Sequence, residues 1–245
     1  MTITGEGYAD TRDMYVVHTM FRREFGLMAA LVRGVTAGDT ERAQIVAEHI
    51  ELMNGVLHHH HAGEDKHLWP RLLDRGSEEV TPVVHLMKDR HESIGKTIDE
   101  IDGALGGWRS AAASDSGEAL ADGLDRLAQL LEEHMHEEEE RALPIIEKCI
   151  TATEWGTMIQ EAAAEVPEES LTLVFGMMMY EGDPEVIEGI LSHMPPEMRP
   201  VMKDLSWQAF VSHAERVHGT ATPPRSRVES PLSSQKFESR EKRVS

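Results

Sequence analysis

The chain has 245 residues, enough for one well-buried domain of about 150–200 residues with appendages, or for two small domains. Its 44 acidic residues against 24 basic ones give a formal net charge of −20, which repels phosphate backbones and argues against nucleic acid as a partner. A hydrophobic content of 40% with only 5% aromatic residues predicts a core of aliphatic side chains and methionine, which suits helices.

The cysteine and signal content indicates where the protein works. Cys149 is the single cysteine, so no internal disulfide can form, and this is typical of a reducing compartment. The sequence has no apolar run of about 18 residues, and its first residues have neither a basic nor an apolar signal region. We therefore expect a cytoplasmic protein with no membrane partner, whose oligomeric state the sequence does not indicate.

Four long helical patterns follow one another in the first part of the chain. Apolar residues recur every three or four positions over residues 11–35, 39–70, 81–104 and 118–140, with a proline at the end of the second pattern. The connections between them are short. This arrangement predicts an all-α, up-down-up-down four-helix bundle over residues 1–150.

The rest of the chain has a different pattern. Residues 151–218 contain shorter helical stretches separated by prolines, and we expect them to form a C-terminal extension that packs on the bundle. Residues 219–245 lack an apolar period and are rich in serine, proline and charge, which predicts a disordered tail.

Two histidine–glutamate pairs repeat within the predicted bundle. His60 precedes Glu64 by four residues and a proline by ten, and His134 precedes Glu138 and a second proline by the same intervals. Residues four apart lie on one stripe of a helix, and apolar neighbours share that stripe. Both pairs are therefore predicted to point into the bundle.

A further histidine lies on the helix before each pair. His18 is 42 residues before His60, and His91 is 43 residues before His134. Two such hairpins would bring four imidazoles and two carboxylates together in the core. Because buried carboxylates are costly without compensation, the pattern predicts two bound cations.

These residues, in this order, resemble the hemerythrin-like family, also called HHE cation-binding domains. The resemblance covers about residues 10–150 and implies a non-haem di-iron centre with an oxo or hydroxo bridge. It implies one iron held by His18 and His60, a second held by His91 and His134, and bridging carboxylates from Glu64 and Glu138. Zinc or manganese could occupy the same ligands.

The sequence departs from the oxygen-carrying members of that family at one ligand. Those members have a histidine four residues before the position of His91, where this chain has Met87. His85 lies on a different face of the helix and is a poor substitute. Within the histidine run, His61 is the alternative to His60 as a ligand, or an additional donor beside it.

Other candidate residues are expected to have ordinary roles. Tyr8, Tyr15 and Tyr180 are predicted to be core residues, although a tyrosine oxygen could complete a metal site. The remaining histidines singled out by the sequence are expected to be solvated: His49, His58, His67, His193 and His218.

Three kinds of function are compatible with such a centre. The first is a redox enzyme acting on hydrogen peroxide or nitric oxide, in which the metal pair is the catalytic apparatus and no side chain acts as a general base. The second is reversible dioxygen binding or the sensing of oxygen or iron. The third is iron sequestration, or a structural metal site in an interaction module. The sequence does not indicate an electron donor.

Overall fold

The computed structural model describes residues 7–75, 78–164 and 167–226, and the predicted all-α fold is confirmed over these ranges. Apart from an isolated bridge between Tyr8 and Thr151, every regular element in them is helical. None of these helices combines the length and the apolar character that crossing a bilayer requires.

The helices follow in chain order with short connections. They are α1 (Arg12–Arg33), α2 (Thr40–Gly63), α3 (Trp69–Arg75), α4 (Val80–Ala111), α5 (Ser114–Glu137), α6 (Leu143–Cys149), α7 (Ala152–Ala163), α8 (Glu168–Glu181), α9 (Pro184–Ser192) and α10 (Met198–His218). Two π-helical turns, Glu64–Leu68 and Glu138–Ala142, join α2 to α3 and α5 to α6.

The chain forms two compact units. The first unit consists of the chain up to Asp10 together with Glu24–Pro167, and the second consists of Thr11–Arg23 together with the chain from Glu168 onward. The two parts of α1 thus belong to different units.

The first unit is a helical bundle built from α2, α4, α5 and the second part of α1. Helix α4 packs against both α2 and α5. Arg33 at the end of α1 donates hydrogen bonds to three carboxylates of α5, Glu118, Asp122 and Asp125. The core of the first unit contains the aliphatic and methionine side chains that the composition predicts: Met28, Ile50, Met53, Leu57, Leu68, Leu72, Val84, Met87, Leu127, Leu131 and Ile146, together with Trp69.

Each π-turn places a proline inside a helical path. The N–H of Trp69 donates to the carbonyl of Glu64, five residues back, and the next residue, Pro70, has no N–H to donate. The widened turn accommodates this missing hydrogen bond, so the chain continues as α3. The same geometry recurs at Glu138, where the N–H of Leu143 donates to the Glu138 carbonyl before Pro144.

The connection between α4 and α5 is shorter than the sequence predicts. Helix α4 continues through Gly106 and Gly107 because the residues on either side of them, Leu105 and Trp108, are anchored in the core at 1% and 2% exposure. The helix ends at Ala111 and is capped by Ala112, which has a left-handed backbone with φ of 45°. Helix α5 then begins at Ser114, so the predicted loop shrinks to two residues.

The second unit is organised around the contact between α8 and α10. Gly176 on α8 allows this close approach, because a Cβ built there would lie 2.1 Å from the Ser206 carbonyl oxygen. Arg23 is fully buried and donates to the Met177 carbonyl at 2.9 Å and to Glu181 at 3.2 Å.

The first residues of the predicted tail contact α8. The Tyr180 hydroxyl donates to the Pro223 carbonyl at 2.7 Å, and the Ser226 N–H donates to Glu181 Oε1 at 2.8 Å. Residues 227–245, which make up most of the predicted disordered tail, lie outside the described residues.

Candidate metal centre

The repeated histidine–glutamate pairs lie where helix gives way to π-turn. His60 and His134 lie in the last turns of α2 and α5, and Glu64 and Glu138 are the first residues of the two π-turns. His60 Nε2 is 3.1 Å from Glu64 Oε1, and His134 Nε2 is 3.7 Å from Glu138 Oε2. Both carboxylates are buried, as the stripe argument predicts. Local π-geometry is frequent at functional sites because it reorients side chains within a helix.

Three imidazoles converge in the first unit. His61, His91 and His134 each offer a ring nitrogen, and these atoms lie within 4.8 Å of one another. The rings of His61 and His91 stack with centroids 4.0 Å apart, and the His134 ring meets both edge-on, at 5.0 and 4.9 Å. All three residues are buried. The donors come from three helices, α2, α4 and α5.

A second donor group adjoins the first and shares a residue with it. Glu64, His134 and Glu138 also place ligand atoms within 4.8 Å of one another. Glu64 additionally approaches His91, with Oε2 3.3 Å from Nε2. His134 therefore belongs to a group of three imidazoles and to a group containing both carboxylates.

His18 is the sequence-predicted ligand that needs separate description. It lies on α1 and is fully buried, within the segment Thr11–Arg23 of the second unit. Its role as a ligand, and its pairing with His60 on one ion, stay predictions from the resemblance.

The electrostatics of the site favour positive charge. Burial lowers the pKa of His91, but hydrogen bonds to Asp65 and Glu64 outweigh this effect and raise the pKa to about 9. His91 Nδ1 lies 3.2 Å from Asp65 Oδ1, which leaves Nε2 directed at Glu64. A carboxylate that holds one ring nitrogen fixes the tautomer and presents the other nitrogen to a metal.

The donor set fits a transition-metal cation. Imidazole nitrogens and carboxylate oxygens are ligands that iron, zinc and manganese share. Here they are buried, and the ligand atoms of each group lie close enough together to contact one ion. A cation would also compensate the two buried carboxylates of Glu64 and Glu138, which lie at 6% and 0% exposure.

A third imidazole lies beside His91 and His134, although the sequence has Met87 where the oxygen carriers have a histidine. Met87 is fully buried and His85 is exposed, so neither supplies a donor. His61 instead brings a third imidazole to His91 and His134 from the neighbouring helix. The sequence treats His61 as an alternative to His60, whereas in the structure both residues have carboxylate or imidazole neighbours of their own.

Two polar partners were not predicted from the sequence. Asp65, which holds His91, follows His61 by four residues just as Glu64 follows His60, and this spacing was the available signal. His49, expected to be solvated, is fully buried with Nε2 3.5 Å from Glu24 Oε2. His58 and His193 are exposed, whereas His67 is largely buried beside Glu161 at 3.0 Å.

The three tyrosines have different surroundings. Tyr8 is 53% exposed, contrary to its prediction as a core residue. Tyr180 packs on Phe210 in the second unit, with ring centroids 4.7 Å apart, and the Arg23 guanidinium lies over its ring. Tyr15 is half-buried on α1.

Comparison with known proteins agrees with this site. The family model for the hemerythrin HHE cation-binding domain matches residues 10–146, which is more than half of the chain. No curated protein and no solved structure matches the chain. The matched segment contains every histidine and glutamate of the two donor groups. The chain belongs to the hemerythrin HHE cation-binding domain family.

Proposed function

We propose that the protein carries a non-haem di-iron centre that reacts with small oxidants, either decomposing hydrogen peroxide or carrying out nitric oxide and peroxide chemistry. The observation that carries the proposal is the pair of buried donor groups that share His134. One group offers three imidazoles and the other offers two carboxylates, a combination that suits two adjacent ions bridged by carboxylates.

The ligand assignment follows from which donors lie together. We assign His61, His91 and His134 to one ion, with Glu64 and Glu138 as bridging carboxylates. His18 and His60 are assigned to the second ion on the basis of the family resemblance. Zinc or manganese would find the same donors, and the metal supply of the cell decides between them.

The protein's own contribution is burial and orientation. Bound iron supplies the change between ferrous and ferric states that peroxide reduction and oxidation require. The side chains of Glu138 and His134 are almost completely buried, at 0% and 1% exposure, which limits the access of water and of bulky reductants. Asp65 Oδ1 lies 3.2 Å from His91 Nδ1, and a carboxylate at this position favours the ring orientation that directs Nε2 toward Glu64. No side chain of the site needs to act as a general base.

Reversible dioxygen binding is the second candidate, and His61 is the observation that favours it. A third imidazole near His91 and His134 restores some of the uneven ligation that the oxygen carriers have and that the sequence pattern alone lacked. Sensing of oxygen or iron would use the same chemistry. Iron sequestration, or a structural metal site in an interaction module, is the third candidate and draws its support from the net charge of −20.

A peroxide experiment separates these candidates. The iron-loaded protein receives a pulse of hydrogen peroxide while evolved oxygen and the visible spectrum are recorded together. Oxygen evolution over many turnovers supports the peroxide enzyme, and His134→Ala is the matched control that should show none. A stable oxygenated spectrum that reverses under vacuum would instead support the oxygen carrier. Iron that responds neither to hydrogen peroxide nor to dioxygen would support storage.

A further inference from the structure

A groove runs between α2 and α4 in the first unit and ends at the metal centre. Its volume is about 570 Å³, and its walls include His61 and His91 from the three-imidazole group. At the other end it reaches Asn54 on α2 and Asp102 on α4. Since an α-helix rises about 1.5 Å per residue, the 11 residues from His91 to Asp102 span about 16 Å.

The groove is lined by negative charge. Five carboxylates line it, against a single lysine, Lys88. Glu51 is paired with Arg109 at 2.9 Å and Glu92 with Lys96 at 2.6 Å. Asp99 and Asp102 are exposed on α4 and leave the far end of the groove with excess negative charge. A cleft lined by one sign of charge raises the local concentration of oppositely charged ions.

Asn54 on α2 and Asp102 on α4 are linked by a hydrogen bond at the far end of the groove. Asn54 is only 4% exposed, and its Nδ2 donates to Asp102 Oδ1 at 2.9 Å. This hydrogen bond fixes the Asp102 side chain beside the groove, where its residue is exposed to solvent.

We infer that this groove is the loading route for the metal centre, and that Asp99 and Asp102 at its far end attract hydrated divalent cations that then move to His61 and His91. Exposed carboxylate oxygens bind hydrated divalent ions weakly, which suits a position that the ion must leave. The imidazoles at the inner end bind first-row metals more tightly, so the ion moves toward them. The inference rests on the proposed function only in requiring that the centre binds metal.

The test measures how fast the metal-free full-length protein takes up Co²⁺, from the visible absorption of the bound ion after rapid mixing. The test variant is the double substitution Asp99→Asn with Asp102→Asn. Its matched control is Glu100→Gln with Asp115→Asn, which removes the same charge at two exposed positions outside the groove. Lys88→Gln removes the positive charge of the lysine that lines the groove and should change the uptake rate in the opposite direction.

The groove variant should load about three- to tenfold more slowly at low salt, with unchanged final stoichiometry, and should lose most of the salt dependence of the rate. The control should load at nearly the wild-type rate, and Lys88→Gln should load faster. Equal slowing in the groove variant and the control would overturn the inference, because total charge would then explain the rate. Wild-type loading in the groove variant would overturn it as well. A wild-type protein that takes up no Co²⁺ would instead overturn the metal centre itself.

Discussion

His60 and His61 show how neighbouring residues with the same side chain have different surroundings. His60 contacts Glu64 on its own helix, whereas His61 stacks on His91 of α4. Helical spacing identified His60, because its interval to Glu64 repeats at His134. Helical spacing could not single out His61 as a candidate ligand, because the two imidazoles near it, His91 and His134, lie on other helices. The same reason explains why the burial of His49 beside Glu24 was not predicted.

Replacing His61 with alanine should weaken metal binding. The variant loses one imidazole of three, and we expect the affinity of the apoprotein for Co²⁺ or Fe²⁺ to fall by about tenfold or more, measured by competition with a chelator. His58→Ala is the control, since His58 is exposed and three residues earlier on α2, and it should bind with wild-type affinity. Equal affinities in the two variants would contradict the three-imidazole group.

At the scale of elements, Pro70 and Pro144 lie next to π-turns and do not end the helical path, as a proline often does. Pro70 lies six residues after Glu64 and Pro144 six residues after Glu138, and each follows a π-turn that begins at that glutamate. The sequence predicted the repeat but not the π-turns, because proline spacing does not distinguish a break from a widened turn. The helical Gly106–Gly107 pair shows a comparable limit, since core packing on either side overrode the low helix propensity of glycine.

The junction of α3 and α7 should make stability depend on pH. Arg75 donates to both oxygens of Glu154, whose carboxylate also caps the start of α7 through Thr151. Hydrogen bonds from Arg75 lower the pKa of Glu154 from 4.5 to about 2. Because the folded-state pKa lies below the ordinary value, the contribution to stability is fully present above about pH 4.5 and is lost as pH falls toward 2.

Urea unfolding between these pH values tests this junction. Glu154→Gln should be less stable than wild type at neutral pH, and the difference between them should shrink as the pH falls. Glu140→Gln, at an exposed position, is the control and should follow wild type. A stability difference that stays constant down to the lowest pH would show that the Arg75 pair contributes nothing.

The contact between α8 and α10 should tolerate no side chain at Gly176. A methyl group there meets the Ser206 carbonyl at 2.1 Å, so Gly176→Ala forces the helices apart. We expect a loss of about 1–3 kcal/mol in the free energy of unfolding, as for other overpacked interfaces. Gly189→Ala on α9 is the matched control, because a methyl there meets nothing within 4 Å and should gain up to about 1 kcal/mol of helix propensity. Both are measured by urea unfolding.

For the whole molecule, composition and repetition predicted the fold class and the matched family, while unit boundaries followed from contacts that no local pattern encodes. Apolar periodicity predicted the all-α fold, and the histidine–glutamate repeat predicted candidate residues around the centre. That Thr11–Arg23 belongs with the C-terminal helices depends on Arg23, which binds Met177 and Glu181 more than 150 residues away. The groove between α2 and α4 likewise could not be predicted, because it depends on how these two helices align along their length.

The central proposal is that the protein holds two metal ions, one of them at His61, His91 and His134, and iron content tests it most directly. Wild type and His134→Ala are reconstituted with Fe²⁺ without oxygen, freed of excess iron, and analysed for iron per chain, with helical content by circular dichroism as the folding control. The account predicts close to two irons per wild-type chain and less iron in a folded His134→Ala variant, because that variant loses one imidazole of the group assigned to one ion. Wild type that keeps no more iron than folded His134→Ala would contradict it.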